Sequence, residues 1–314
     1  MTLLYTSPRM LEHETGKHPE RADRLRQVVR HLERTELDTR CLRPEWQPAS
    51  ATALLRCHTA EHIAALEKYA ASGGGQVEAD TVMSPASFDV ARLAAGAGVD
   101  AVTRVLAGEA RNALCLIRPP GHHALANAPM GFCLFNNIAV AARAALAAGL
   151  SRVLIVDWDV HHGNGTQDLF YDDPRVGFFS LHRWPFYPGT GDRNETGIGD
   201  GLGTTHNIPV THGTPVKQII TQFTHELSDF AARLRPELVL LSAGFDAHRD
   251  DPVGDLGLET EDFIPLTETT LAIANQYAGG KLVSLLEGGY NPGVLAGCVA
   301  EHLTVLLKEE GVRS

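Results

Sequence analysis

Five short apolar runs punctuate the chain: Ala113–Ile117, Arg152–Val156, Val176–Ser180, Glu237–Ser242 and Lys281–Leu286. Each is rich in Val, Ile, Leu or Phe and lacks the alternation of a strand wetted on one face. Each therefore reads as a parallel strand buried on both faces. Between them, apolar positions recur with helical spacing over Asn137–Ala148, Pro215–Leu234 and Glu261–Tyr277, the second opening on a proline suited to a first helical turn. Strand alternating with helix predicts an α/β fold whose parallel sheet is covered on both sides. From Arg183 to Pro215 glycine is frequent and apolar residues are few, which predicts a long loop of the kind that carries function. No internal repeat, Pro/Ser linker or long charge block divides the sequence, so residues 1–314 are expected to form one domain.

The runs end in unusual polar residues. RPPGHH (Arg118–His123) follows the first, DWDVHHGNG (Asp157–Gly165) the second, AGFD (Ala243–Asp246) the fourth and EGGY (Glu287–Tyr290) the fifth. In open α/β sheets ligands bind beyond the carboxyl ends of the strands, so these segments are expected to meet at one sheet edge. Asp157, Asp159 and His161 alternate by two, which would put them on one side of an extended segment. Carboxylate oxygen and imidazole nitrogen suit a divalent transition metal, with Asp246 the candidate donor from another strand end and one position left open. His122 and His123 are adjacent imidazoles fit for proton transfer, and Tyr290 offers a phenol to an oxygen gaining negative charge. Such residues also cap helices and satisfy backbone amides. Their presence at four strand ends favours chemistry.

The motifs RPPGHHA (Arg118–Ala124), GFCLFNN (Gly131–Asn137), DWDVHHGNGTQ (Asp157–Gln167), SLHRWPFYPGTG (Ser180–Gly191), SAGFDAHRDDP (Ser242–Pro252) and EGGYNP (Glu287–Pro292) occur in this order. Together they resemble the zinc-dependent histone deacetylase family, most closely its class II and bacterial deacetylase-like amidohydrolase branches. The resemblance runs from HPER at His18–Arg21 to just past Tyr290. It implies an arginase-like, three-layer α/β fold around a predominantly parallel eight-stranded sheet. It also implies hydrolysis of an acyl-lysine amide by a metal-activated water.

By the same resemblance, Asp159, His161 and Asp246 hold one catalytic zinc. His122 and His123 match the tandem histidines, with Asp157 the carboxylate partner of the first. Asn164 partners the second, asparagine there being the class II pattern. His123 is implied as the group that accepts and returns the proton, and Tyr290 as the residue that polarises the substrate carbonyl. Gly131, Phe132, Trp184 and Gly289 are implied to line a narrow substrate channel, with Tyr187 the alternative to Trp184, and Arg21 an internal product route. One or two potassium ions are implied as well. The first would sit at Asp157, Asp159, His161, Ser180 and Leu181, the second at Phe170, Asp173 and Val176.

Charge narrows the partners. With 27 Lys and Arg against 38 Asp and Glu, the net charge of −11 leaves no basic stripe for nucleic acid and suits cationic, lysine-bearing substrates. The amino terminus has no apolar h-region, and the alanine-rich stretch Ile138–Leu150, broken by Arg143, is too short to span a bilayer. No membrane partner is expected. Five cysteines without a CxxC pair predict reduced thiols and a cytoplasmic setting. The expected partners are acylated lysine side chains of proteins or peptides, or small acylated amines. Polyamine-selective relatives place a carboxylate in the turn after the third metal ligand, where this chain has Val253, which favours acyl-lysine or small amides. Asp80, Asp192 and Glu195 are the remaining candidates for negative charge at the rim. A sensor or scaffold without turnover is the non-enzymatic alternative, and the oligomeric state is left open.

Overall fold

The computed structural model describes residues 1–308. Its strands are β1 (Thr2–Tyr5), β2 (Gly75–Gln76), β3 (Val82–Met83), β4 (Asn112–Cys115), β5 (Val153–Asp157), β6 (Val176–Arg183), β7 (Thr205–Val210), β8 (Leu238–Ala243) and β9 (Leu282–Leu286). Seven of them form one sheet in the order β1-β4-β9-β8-β5-β6-β7, and every neighbouring pair is parallel. The parallel α/β architecture matches expectation, but the main sheet has seven strands among the described residues, not eight. The short β2 and β3 pair only with each other, antiparallel, and stand apart from it.

Every residue of β4, β5, β8 and β9 is buried, as their unbroken Val/Leu/Ile character requires of strands covered on both faces. Helices Ser87–Leu106 and Asn137–Ala147 pack together against these strands; Phe263–Ala278 covers β8 and β9, and Val216–Leu234 beside it packs on β6 and β7. Asn136 caps the second of these helices, its side chain accepting the Ala139 N–H. Pro215, predicted within the first turn, sits instead at the N-cap of Val216–Leu234, one residue before the helix begins. No helix among the described residues is long and apolar enough to cross a membrane.

The predicted long loop is interrupted. Within Arg183–Pro215 the chain forms β7, which pairs with β6 at the sheet edge. Pro209 lies in that strand, and an edge position tolerates a residue with no N–H to give. What positions the site is strand order. β4, β9, β8 and β5 are consecutive neighbours, so the four polar segments after them emerge side by side.

Candidate active site

The segment after β5 is not extended. Asp157 accepts the Asp159 N–H (3.1 Å) and Asp159 accepts the His161 N–H (2.9 Å), so two side-chain-to-backbone turns follow one another. These turns separate the three residues that strand alternation would have aligned. Asp157 turns to His122, while Asp159 and His161 meet Asp246 from the end of β8.

The donor atoms of Asp159, His161 and Asp246 all lie within 4.8 Å of one another, and all three residues are buried. His161 Nδ1 is 3.0 Å from Asp159 Oδ1 and 3.1 Å from Asp246 Oδ2. Asp246 Oδ1 accepts the Val160 N–H, but its buried Oδ2 has no hydrogen-bond partner. A buried carboxylate oxygen left without a donor is costly, and a cation between the three groups would satisfy it. Burial disfavours a charged His161, yet the adjacent carboxylates of Asp159 and Asp246 outweigh this and raise it to about 9. Burial and the Asp159 charge push Asp246 up to about 7. Both shifts show a pocket short of positive charge. The donor set therefore fits a divalent metal.

Beside it stand the two imidazoles, with ring centroids 4.0 Å apart. His122 Nδ1 donates to Asp157 Oδ2 at 3.0 Å. Burial works against a charged His122, but Asp157 and Asp159 prevail and lift it to about 10, so it is a cation at neutral pH. His123 Nδ1 donates to Asn164 Oδ1 at 2.7 Å. Burial first, then neighbouring His122 and His161, hold His123 well below the usual histidine range. It is neutral, and its Nε2 carries the free lone pair. Burial likewise pushes the Tyr290 hydroxyl well above its ordinary value, which keeps it a donor.

These groups line a cavity of about 230 Å3 that contains His123, His161 and Tyr290 with Gly131, Phe132, Phe186, Tyr187, Asp80 and Val253. Phe132 meets Tyr290 edge-on at 5.5 Å. Gly131 adopts a φ of +55° with its Cα against His123, where a Cβ would lie 2.3 Å from Cδ2 of that ring, so no larger residue fits.

Two sequence assignments change here, and a third is displaced. Trp184 is not part of the wall. β6 runs on to Arg183, and the Trp184 N–H still donates to Val210 at the sheet edge. The chain crosses the site only at Phe186, which stacks on His161 at 5.3 Å, and at Tyr187, which stands edge-on to His123. Arg21 is exposed, because it precedes the first turn of helix Asp23–Arg34. The inward position one turn later belongs to Arg24, whose guanidinium lies 4.8 Å from the Tyr290 ring centroid. Gly289 does not line the cavity; its carbonyl accepts Arg24 Nε at 2.6 Å. Of the rim carboxylates, Asp80 faces the cavity, whereas Glu195 is turned inward to Gln167 and the Gly191 N–H.

Asp157 pairs in register with Ser180, next to Leu181, and Ser180 Oγ is hydrogen-bonded to His182 Nδ1. Phe170, Asp173 and Val176 lie at the turn leading into β6, where Arg143 and Arg175 already engage the Asp173 carboxylate. Sequence reasoning assigned no role to Arg24, Glu20, Glu287 or Asn136. The i,i+4 spacing of Glu20 and Arg24 was a legible signal of an ion pair. Asn136, besides capping its helix, donates to Ala124 O and Thr166 Oγ1, which ties the Phe132 segment to the histidine loop.

A parallel α/β sheet whose strand ends gather an Asp-His-Asp group able to hold a metal, an imidazole pair and a phenol has the class of site found in amidohydrolases. The histidine-loop and triad segments fall inside residues 18–306, which match the histone deacetylase domain model. The chain is 38% identical to the histone deacetylase-like amidohydrolase of Pseudomonas aeruginosa, over 95% of this chain and 78% of that protein. It is 40% identical to human polyamine deacetylase HDAC10, over 96% of this chain and 46% of that protein. Its fold superposes on the crystal structure of the HDA15 HD domain with a TM-score of 0.92 at 39% identity, covering 100% of this chain and 90% of that one. The chain belongs to the histone deacetylase family.

Proposed function

We propose that this protein is a zinc-dependent deacylase that hydrolyses the amide of acyl-lysine. The observation that carries this reading is the cavity lined together by His161 of the Asp-His-Asp triad, the Asn164-tethered His123 and the un-ionised Tyr290. Asp159, His161 and Asp246 would hold the zinc, whose chemistry is to polarise an acyl carbonyl and make water a nucleophile at neutral pH. His123 Nε2 accepts the proton of the attacking water and delivers it to the departing amine. Tyr290 donates a hydrogen bond to the acyl oxygen as it gains charge, a contribution of roughly 3–4 kcal/mol for donors of this type. His122, charged against Asp157, supplies positive potential beside them. Phe132, Phe186 and Tyr187 give apolar walls to an aliphatic chain. Potassium at the residues around Ser180 and Asp173 is part of the same reading by resemblance alone.

Metal binding has its own test. Zinc at about 100 times its dissociation constant is expected to stabilise the parent by roughly 2.7 kcal/mol in thermal unfolding. Asp246→Asn should abolish that shift. An equal shift in the variant would place the metal elsewhere.

A second reading, an acetylpolyamine hydrolase, draws support from the relative that carries that name and from Asp80 at the cavity. Val253 counts against it, because an apolar side chain faces the cavity where a cation would need a carboxylate. The deciding experiment compares kcat/KM of the zinc-loaded protein for an acetyl-lysine peptide and for acetylputrescine. The peptide is expected to be the better substrate. Faster turnover of acetylputrescine would reverse the order, and no turnover of any acyl amide would sink both readings.

A further inference from the structure

Glu287 directly follows β9, in a place where an apolar residue would extend the run of Leu285 and Leu286, yet its carboxylate is buried and takes no part in the chemistry above. Its Oε2 accepts two backbone N–H groups of the histidine loop, Gly121 at 2.6 Å and His122 at 3.2 Å. Its Oε1 accepts the Ser242 hydroxyl at 3.2 Å. The loop has left the sheet ladder, so these two amides would otherwise be buried without acceptors. The same residue faces the other half of the site through its backbone. Its carbonyl accepts Arg24 Nη2 at 2.5 Å, and that guanidinium also binds the Gly289 carbonyl and lies over the Tyr290 ring.

We propose that Glu287 is a positioning residue, whose two carboxylate-to-amide hydrogen bonds fix the backbone of Gly121–His122, and hence both imidazoles, relative to Tyr290. The inference rests on the reading that His123 and Tyr290 act on one acyl amide. It assigns Glu287 no contact with substrate. Its effect is registration: the histidines descend from β4 and the phenol from β9, and Glu287 is bonded to both segments. Geometry of this kind matters because a misplacement of about 1 Å, caused away from the reacting atoms, can cost on the order of 100-fold in rate.

Three substitutions test it. Glu287→Gln keeps the shape: its amide oxygen can accept both N–H groups while its NH2 donates to Ser242 Oγ. Glu287→Ala removes the acceptors, and Glu287→Asp retreats from them by one methylene. For an acetyl-lysine peptide, Glu287→Ala is expected to lower kcat about 100-fold with KM within about 3-fold, and Glu287→Gln to recover most of the loss. Amide hydrogen exchange at Gly121 and His122 should accelerate at least about 10-fold in the Ala variant and stay near the parental rate in the Gln variant. Exchange needs no turnover. A parent protein inactive on every acyl amide would therefore defeat the functional reading while leaving this one to be decided. Should Glu287→Ala not fold, Glu287→Asp carries the test, with an expected kcat loss of about 10-fold. Unchanged exchange, a Gln variant as impaired as Ala, or a folded Ala or Asp variant with parental kcat would each overturn the proposal.

Discussion

Replacing His123 with alanine is expected to lower kcat by about 100- to 10,000-fold, the range for loss of a positioned acid–base group. KM should change little, because the ring's lone pair is used in proton transfer and the aromatic walls Phe132, Phe186 and Tyr187 are retained. The expectation follows from the tether. With Nδ1–H given to Asn164, only Nε2 can act as a base, and burial, with the cation at His122 beside it, keeps that nitrogen unprotonated. His122 is bound differently. Its proton is held by Asp157, and a residue already charged at neutral pH cannot take another. His122→Ala should therefore retain more activity than His123→Ala. Steady-state kinetics of the two variants across pH provide the check, and equal kcat at every pH would show that the division of roles is wrong.

The second large effect is on stability. Glu20 is buried and accepts Arg118 at 2.6 and 2.8 Å and Arg24 at 3.1 Å, with His13 Nε2 at 3.3 Å. Both guanidiniums are buried as well. Glu20→Gln leaves two cations and one neutral amide among them, and removing one partner of a buried ion cluster costs about 3–5 kcal/mol. The effect is pH-dependent with a definite sign. Burial raises the Glu20 carboxyl, but Arg118 and His13 outweigh it and hold the group well below its ordinary 4.5. A group depressed in the folded state contributes its full stability above the unfolded value and loses it as pH falls toward the folded one. Urea unfolding at several pH values below about 5 should show the parent losing stability faster than the Gln variant. Parallel curves would mean that Glu20 is not the ionised hub.

Much of the site was legible because its residues follow strands. A buried parallel strand is an unbroken apolar run, so its carboxyl end is marked in the sequence, and Asp159, Asp246, His123 and Tyr290 all lie just beyond such ends. The unread parts share another property: their positions depend on where a regular element stops or starts. Helix Asp23–Arg34 begins two residues after Arg21, and that offset sends Arg24 inward in its place. β6 extends three residues past its predicted end, which moves the channel wall from Trp184 to Phe186. β7 carries a proline and several polar residues, so it lacks the apolar composition of the central strands. The pair of turns at Asp157–His161 is written in Asp itself, a residue that bonds its own backbone two positions on, but strand periodicity obscured it.

The placement of β9 has a consequence for biosynthesis. Among the described residues it is the last strand in chain order, yet it lies third in the sheet, between β4 and β8. Until it arrives, these two strands have no common neighbour, and the histidine loop lacks both its carboxylate anchor and the facing phenol. Contacts of such long sequence separation form late and slowly in folding. Asp159, His161, Asp246 and His123 all precede β9 in the chain, and only Tyr290 follows it. On the proposed function, a polypeptide that stops short of β9 is therefore expected to be inactive even though its metal-ligating residues are already made.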